Sequence, residues 1–281
     1  MSRLSTAFGT AAWLLLAGAA GAAGDAWVQW QTDVERALAT ARSERRAVLL
    51  DFWADWCGPC RAMDRDFWSR YEVAERARRL VTVRVDFDRN RGLAYRHHVT
   101  AIPAVIVLDP WGNSIAAVVG FGDTRQLELV LNQIPEDFAT AAPFIAALEK
   151  DGKSFSALRG LGAFYFQHKF LTVSTHYYER AIKSPGAEQD AKARGDVHVA
   201  LGWDYLNLND AKRGREQFAR ALEIPGLERQ DVALFGLVAA NGTLCRRAEA
   251  EKALAELTTR FPRSEATSAA RKQLQAAPAS C

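Results

Sequence analysis

The sequence has almost no net charge to offer: 36 Lys and Arg stand against 33 Asp and Glu, leaving +3 over 281 residues. That excludes a broad basic field of the kind nucleic acid demands. The composition of a disordered chain is also missing, since 49% of residues are apolar and only 25% are charged. Metal-ligand spacing is lacking as well. The C-x-x-C pair, Cys57 and Cys60, has no second pair and no nearby His at zinc spacing, and His168, His176 and His198 fall apart from one another. No metal and no cofactor is expected. What remains is a globular chain long enough for two domains.

Residues 1–24 differ from everything after them. Arg3 precedes a mostly apolar stretch, Ala7 to Ala20, and a small-residue tract from Ala17 to Gly24 ends at Asp25. This is the plan of a cleaved secretory signal peptide. An uncleaved anchor is the alternative, but a spanning helix needs about 20 solidly apolar residues, and Gly and Ala make a weak one. The mature protein is therefore expected in the periplasm or outside the cell, where disulfides persist.

Residues 25–137 alternate strand and helix signals. Helical spacing of Val34, Ala37, Leu38 and Ala41 predicts a helix over 31–43, followed by the buried strand Ala47 to Trp53. A helix is expected from Gly58 to Arg70, then a strand from Leu80 to Phe87 and a short helix at 91–96. A hairpin turning at Asp109–Asn113 and a closing helix ending near Ile134 complete an α/β layer with a mixed sheet. Residues 141–281 carry no strand signals but contain a repeat. Leu161-Gly162, Tyr165, Tyr178, Ala181 and Pro185 recur 40 residues on as Leu201-Gly202, Tyr205, Phe218, Ala221 and Pro225. The linker between the copies, Gly186–Arg194, is lengthened. A degenerate third copy is expected to run from Phe235-Gly236 to Pro262, with a polar helix at about 264–275 capping the stack.

The chemistry gathers at Trp56-Cys57-Gly58-Pro59-Cys60, after a buried strand and at the start of a helix. Unpaired N–H groups and the dipole at a helix N-terminus favour a thiolate at Cys57. Pro59 suits a first helical turn, and the spacing brings Cys60 within disulfide reach. Cys57 is thus the attacking sulfur and Cys60 the resolving one. Half a zinc site or an inert structural bridge are the alternatives.

Residues 47–60, AVLLDFWADWCGPC, resemble the active-site strand and turn of thioredoxin, and the likeness extends over roughly 25–135. It implies a thioredoxin fold in which Ile102-Pro103 supplies a cis-proline facing the dithiol. It also implies a buried carboxylate, Asp51, able to take the proton that Cys60 must lose. Trp56, Ile102 and Gly120 fall where such proteins meet their substrates. The family's buried lysine partner is matched to Thr82, so Asp51 is expected to lack its cation. The entry segment, Trp27 to Ala47, is closer to the thioredoxin-like domain of periplasmic transmembrane thiol reductases, which implies a membrane-bound thiol donor. The helical half, residues 141–281, resembles tetratricopeptide repeats.

Two further cysteines, Cys245 and Cys281, are either free thiols or a structural disulfide between the third repeat and the chain end. His97 and His98 end a short helix, where a cation would offset the dipole. The function expected is an exported reductase of protein disulfides with helical repeats recruiting a protein partner. The uncharged Gly-Pro dipeptide favours a reducing potential; the span from about −270 to about −120 mV is worth roughly 7 kcal/mol for two electrons. The alternatives are a protein-binding adaptor or chaperone module carried by the repeats, and a disulfide oxidase or isomerase.

Overall fold

The computed structural model describes residues 27–122 and 124–276, so the expected signal segment 1–24 and Cys281 lie outside the described residues. The first half is a four-stranded mixed sheet in the order β2-β1-β3-β4. Strand β1 (Val48–Trp53) pairs parallel with β2 (Val81–Asp86) and antiparallel with β3 (Ala104–Leu108), which pairs antiparallel with β4 (Ser114–Val119). Helices α1 (Val34–Glu44), α2 (Gly58–Met63), α3 (Tyr71–Ala77), α4 (Arg91–Arg96) and α5 (Thr124–Gln133) fill the connections. This is the thioredoxin fold, followed by a helical second half.

The period-two alternation of β1 divides the sheet's two faces. Val48, Leu50 and Phe52 join Ala37, Ala41, Val83 and Ile106 in one core. Leu49 points the other way, into a core with Phe67, Trp68, Val105 and Val107. Asp51 shares this second face, as do Thr82 and Arg84 on the neighbouring strand, by the same alternation.

The helix expected over 58–70 is broken. After α2 the chain takes a π-turn, Asp64–Trp68, closed by the Ser69 N–H on the Asp64 carbonyl. Arg70 is extended, and α3 then begins. The three apolar residues that α3 buries, Val73, Ala74 and Ala77, give too short a pattern to separate it in the sequence.

The helical half begins with α6 (Ala142–Lys150). Three helix hairpins follow: α7 (Phe155–Gln167) with α8 (Leu171–Ile182), α10 (Ala191–Asn207) with α11 (Ala211–Leu222), and α12 (Gln230–Thr243) with α13 (Arg247–Arg260). The lengthened linker holds the short α9 (Gly186–Gln189), and α14 (Glu265–Ala276) covers the last hairpin. This arrangement is consistent with the expected repeats. Each hairpin turns on one left-handed residue: Lys169, Asn209 and Cys245, at φ 64°, 61° and 59°. The residue after each donates its N–H to the carbonyl five back: Phe170 to Tyr165, Asp210 to Tyr205, and Arg246 to Asn241.

That shared turn corrects the register of the third copy. Asn241 takes the place of Tyr165 and Tyr205, so Leu237-Val238, and not Phe235-Gly236, answers to Leu161-Gly162. The glycine is dispensable there because its ring partner is gone. A Cβ at Gly162 would fall 2.5 Å from the Tyr178 ring, and one at Gly202 would fall 2.6 Å from Phe218. At the equivalent position the third copy has Leu254, which packs against the core cluster that includes Val238.

The two halves share one core. Phe138 is fully buried between Trp111 of the β3–β4 turn and Phe164 of α7, at ring separations of 6.1 and 5.5 Å. The Tyr165 hydroxyl donates to Asp109 Oδ2 at 2.9 Å. Asp109 also accepts from the Trp111 and Asn113 N–H groups and from Asn113 Nδ2, so it ties the hairpin turn to the helical arm. It follows Leu108, which pairs with Val48 at the start of β1, whereas the dithiol follows the other end of β1.

Candidate redox site

Cys57 sits in extended backbone as the N-cap of α2, and its sulfur accepts the Cys60 N–H at 3.1 Å. Pro59 occupies the first turn, where its missing N–H leaves no intrahelical bond unmade. Cys57 and Cys60 are joined in a disulfide with Cα atoms 5.3 Å apart, so the structure shows the oxidised form. Both residues are 2% exposed and pack with Ala54, Trp53 and Ile102. On reduction, the N–H groups and dipole of the helix start stabilise a thiolate on Cys57.

Four further expected residues frame this pair. The Ile102–Pro103 bond is cis, and Ile102 packs against the cluster of Ala54, Cys57 and Cys60. The Gly120 N–H donates to the Pro103 carbonyl at 2.7 Å. Gly120 has φ 88°, which explains a glycine there, and no atom lies within 4 Å of where its Cβ would be. Trp56 is 64% exposed beside the dithiol, held by its Nε1–H on Asp88 Oδ2 at 2.6 Å.

Asp51 is 1% exposed, and neither carboxylate oxygen has a hydrogen-bond partner. Contrary to expectation it does not lack a cation. Arg84, opposite it on β2, brings Nε to 3.5 Å from Asp51 Oδ2. Thr82 is no part of this pairing; its hydroxyl donates to the Gln29 carbonyl. The alternation that aims Asp51 inward aims Arg84 with it, a signal the sequence contained. Asp64, at the start of the π-turn, holds Arg84 Nη2 at 2.7 Å. The guanidinium also lies over Trp53, 4.6 Å from the ring centroid, and at 5.6 Å from that of Trp30. Burial pushes the Asp51 carboxyl up to about 7; Arg84 opposes this and the nearby Asp64 charge adds to it. A carboxyl poised there can exchange a proton near neutrality.

The other candidates fall elsewhere. His97 follows α4, and burial, with the charges of Arg96 and His98, pushes it below the usual imidazole range. That disfavours the cation expected at the helix end. His98 turns left-handed at φ 55°. Cys245 is not a free thiol; its expected partner, Cys281, lies outside the described residues.

A thioredoxin-like family model matches residues 29–110. Thioredoxin of Bacillus subtilis is 32% identical over 101 residues, which cover 34% of this chain and 88% of the relative. Thiol:disulfide interchange protein DsbD 2 of Pseudomonas aeruginosa is 35% identical over 89 residues, 30% of this chain and 15% of that protein. TPR repeat-containing thioredoxin TDX of Oryza sativa subsp. japonica is 36% identical over 97 residues, 34% of this chain and 29% of the relative. The chain spans about half the length of the mitochondrial thioredoxins it also matches. With its dithiol at a helix start, its cis-proline and its buried carboxylate all within the matched unit, the chain belongs to the thioredoxin family.

Proposed function

We propose that the protein is an exported reductase of protein disulfides that uses Cys57 and Cys60, with the helical arm recruiting a partner protein. The observation that carries this reading is a dithiol on a helix N-terminus with Asp51 buried on the same sheet face as its helix. In the reduced enzyme the Cys57 thiolate attacks a client disulfide, forming a mixed disulfide and releasing one client thiolate, which takes a proton from solvent. The Asp51 carboxylate accepts the Cys60 proton, and the Cys60 thiolate attacks Cys57 Sγ. The second client sulfur leaves as a thiolate and takes the proton back. Two electrons have then passed to the client, and the enzyme stands in the oxidised form seen here.

Another turnover needs a dithiol donor. A membrane-bound thiol protein is proposed, on the likeness to an interchange protein and on the export expected of residues 1–24. The reduction potential tests the direction of flow. Equilibration with glutathione should place it nearer about −270 mV than about −120 mV. A value above about −180 mV would reassign the protein to oxidation or isomerisation.

A further inference from the structure

The repeat stack has two poles, one carrying the hairpin turns and the other the linkers between hairpins. At the linker pole lie two cavities, of about 560 and 410 Å³. They occupy equivalent places in successive repeats: Arg180 and Pro185 line one, Arg220 and Pro225 the other, and Lys183 lines both. Lys153 and Arg194 complete a run of five cations along this edge.

Four basic side chains elsewhere on the arm are neutralised by a carboxylate: Lys192 by Glu228, Arg213 by Asp210, Arg247 by Glu251, and Arg260 by Glu256. Among the described residues none of the five edge cations forms an ion pair. Arg180 alone has a polar contact, donating to the Gly152 carbonyl at 3.1 Å. One carboxylate, Glu223, lines the larger cavity. His198, on its wall, is 8% exposed and places Nδ1 2.7 Å from Gln217 Oε1. Burial lowers its proton affinity, the Gln217 hydrogen bond opposes this, and the charges of Arg220 and Arg194 lower it further. Ile182, Ile224 and Leu158 add apolar side chains to the lining.

We propose that these paired clefts bind an acidic segment of a partner protein, its carboxylates meeting the unpaired cations and its apolar side chains entering the cavities. The inference rests on the reading that the arm recruits a partner, and names that partner's chemistry. A lining that mixes cations with apolar side chains fits a peptide better than a phosphate backbone, which offers no apolar side chains. A flat anionic membrane surface does not enter cavities, and a chain of net charge +3 has no general pull on it.

The test uses the full chain in its oxidised form and fluorescence anisotropy with a labelled peptide of alternating Glu and Leu. The same peptide with Lys for Glu, a poly-uridine RNA and phosphatidylglycerol vesicles run beside it. The acidic peptide should bind and the basic one should not. Arg194→Glu with Arg220→Glu should weaken binding about tenfold or more, since repulsion replaces attraction at two contacts. Arg263→Glu with Lys272→Glu, exposed side chains in the turn before α14 and on α14, makes the same change in net charge and should leave affinity within about twofold. Equal weakening by both pairs, no binding of the acidic peptide, or preference for the RNA or the vesicles would each overturn the proposal. Insulin reduction on the same preparations separates the two readings. Peptide binding without reduction would sink the redox reading alone, and reduction without peptide binding this one.

Discussion

At the residue scale, the division of labour between the sulfurs follows from the helix start. Cys57→Ser should abolish reduction of insulin disulfides, whereas Cys60→Ser should accumulate mixed disulfides visible on non-reducing gels. Undiminished turnover by the Cys57→Ser variant would refute the assignment. Asp51 carries a second consequence, for stability. Its carboxyl ionises near the ordinary 3.8 when unfolded and at about 7 when folded. Between those values the native state holds a proton that the unfolded state has released, so stability falls as pH rises from about 4 to about 7. Each unit of difference is worth about 1.4 kcal/mol. Asp51→Asn should therefore be the more stable protein at pH 8, by a few kcal/mol in urea unfolding, with the advantage gone by about pH 4. It should also slow the resolving step, read as mixed disulfide that persists in the otherwise intact dithiol.

At the element scale, close helix approach holds the arm together. Gly202 lets α10 and α11 meet at the Phe218 ring, and Gly236 brings α12 against the same ring, where a Cβ would fall 2.4 Å away. Such a contact forces the ring out of place, since a packed core relaxes only partly. Gly202→Ala should cost about 1–3 kcal/mol in thermal unfolding despite alanine's better helix propensity. A neutral or stabilising effect would show that the helices can separate cheaply.

At the scale of the whole molecule, the arm is joined to the sheet by a shared core, not a free linker. Removing residues after 135 takes away Phe138, Phe164 and the Tyr165 hydroxyl, and leaves Asp109, pushed up by burial, without one of its donors. The shortened protein should unfold at clearly lower temperature than the full chain while still reducing a small generic disulfide at a near-normal rate. The contact lies at the far end of the sheet from the dithiol, so a tenfold loss of that activity in a folded truncation would mean the arm completes the active site. Tyr165→Phe isolates the tie: it should cost about 1–3 kcal/mol by leaving a buried acceptor short of a partner, with no effect on small-disulfide reduction.

The sequence by itself determined the strands, the dithiol at its helix start, the proline and the first two hairpins. These are local patterns: period-two and helical spacing, turn residues, and a motif within five residues. Even Arg84 was within its reach, because a strand's alternation puts residues 82 and 84 on one face and only the choice between them was open. Other facts were decided by tertiary structure alone. Which of the two meets Asp51 depends on the register of β1 against β2, set by packing across both faces. The π-turn after α2 has no periodic signature, yet it aims Asp64 at Arg84. The third repeat keeps its turn while losing its glycine and aromatic, since a leucine packed against the core cluster can fill the same space. The joint through Phe138, Asp109 and Tyr165 brings together residues up to 56 positions apart, and no local pattern records a contact made only when the chain closes on itself.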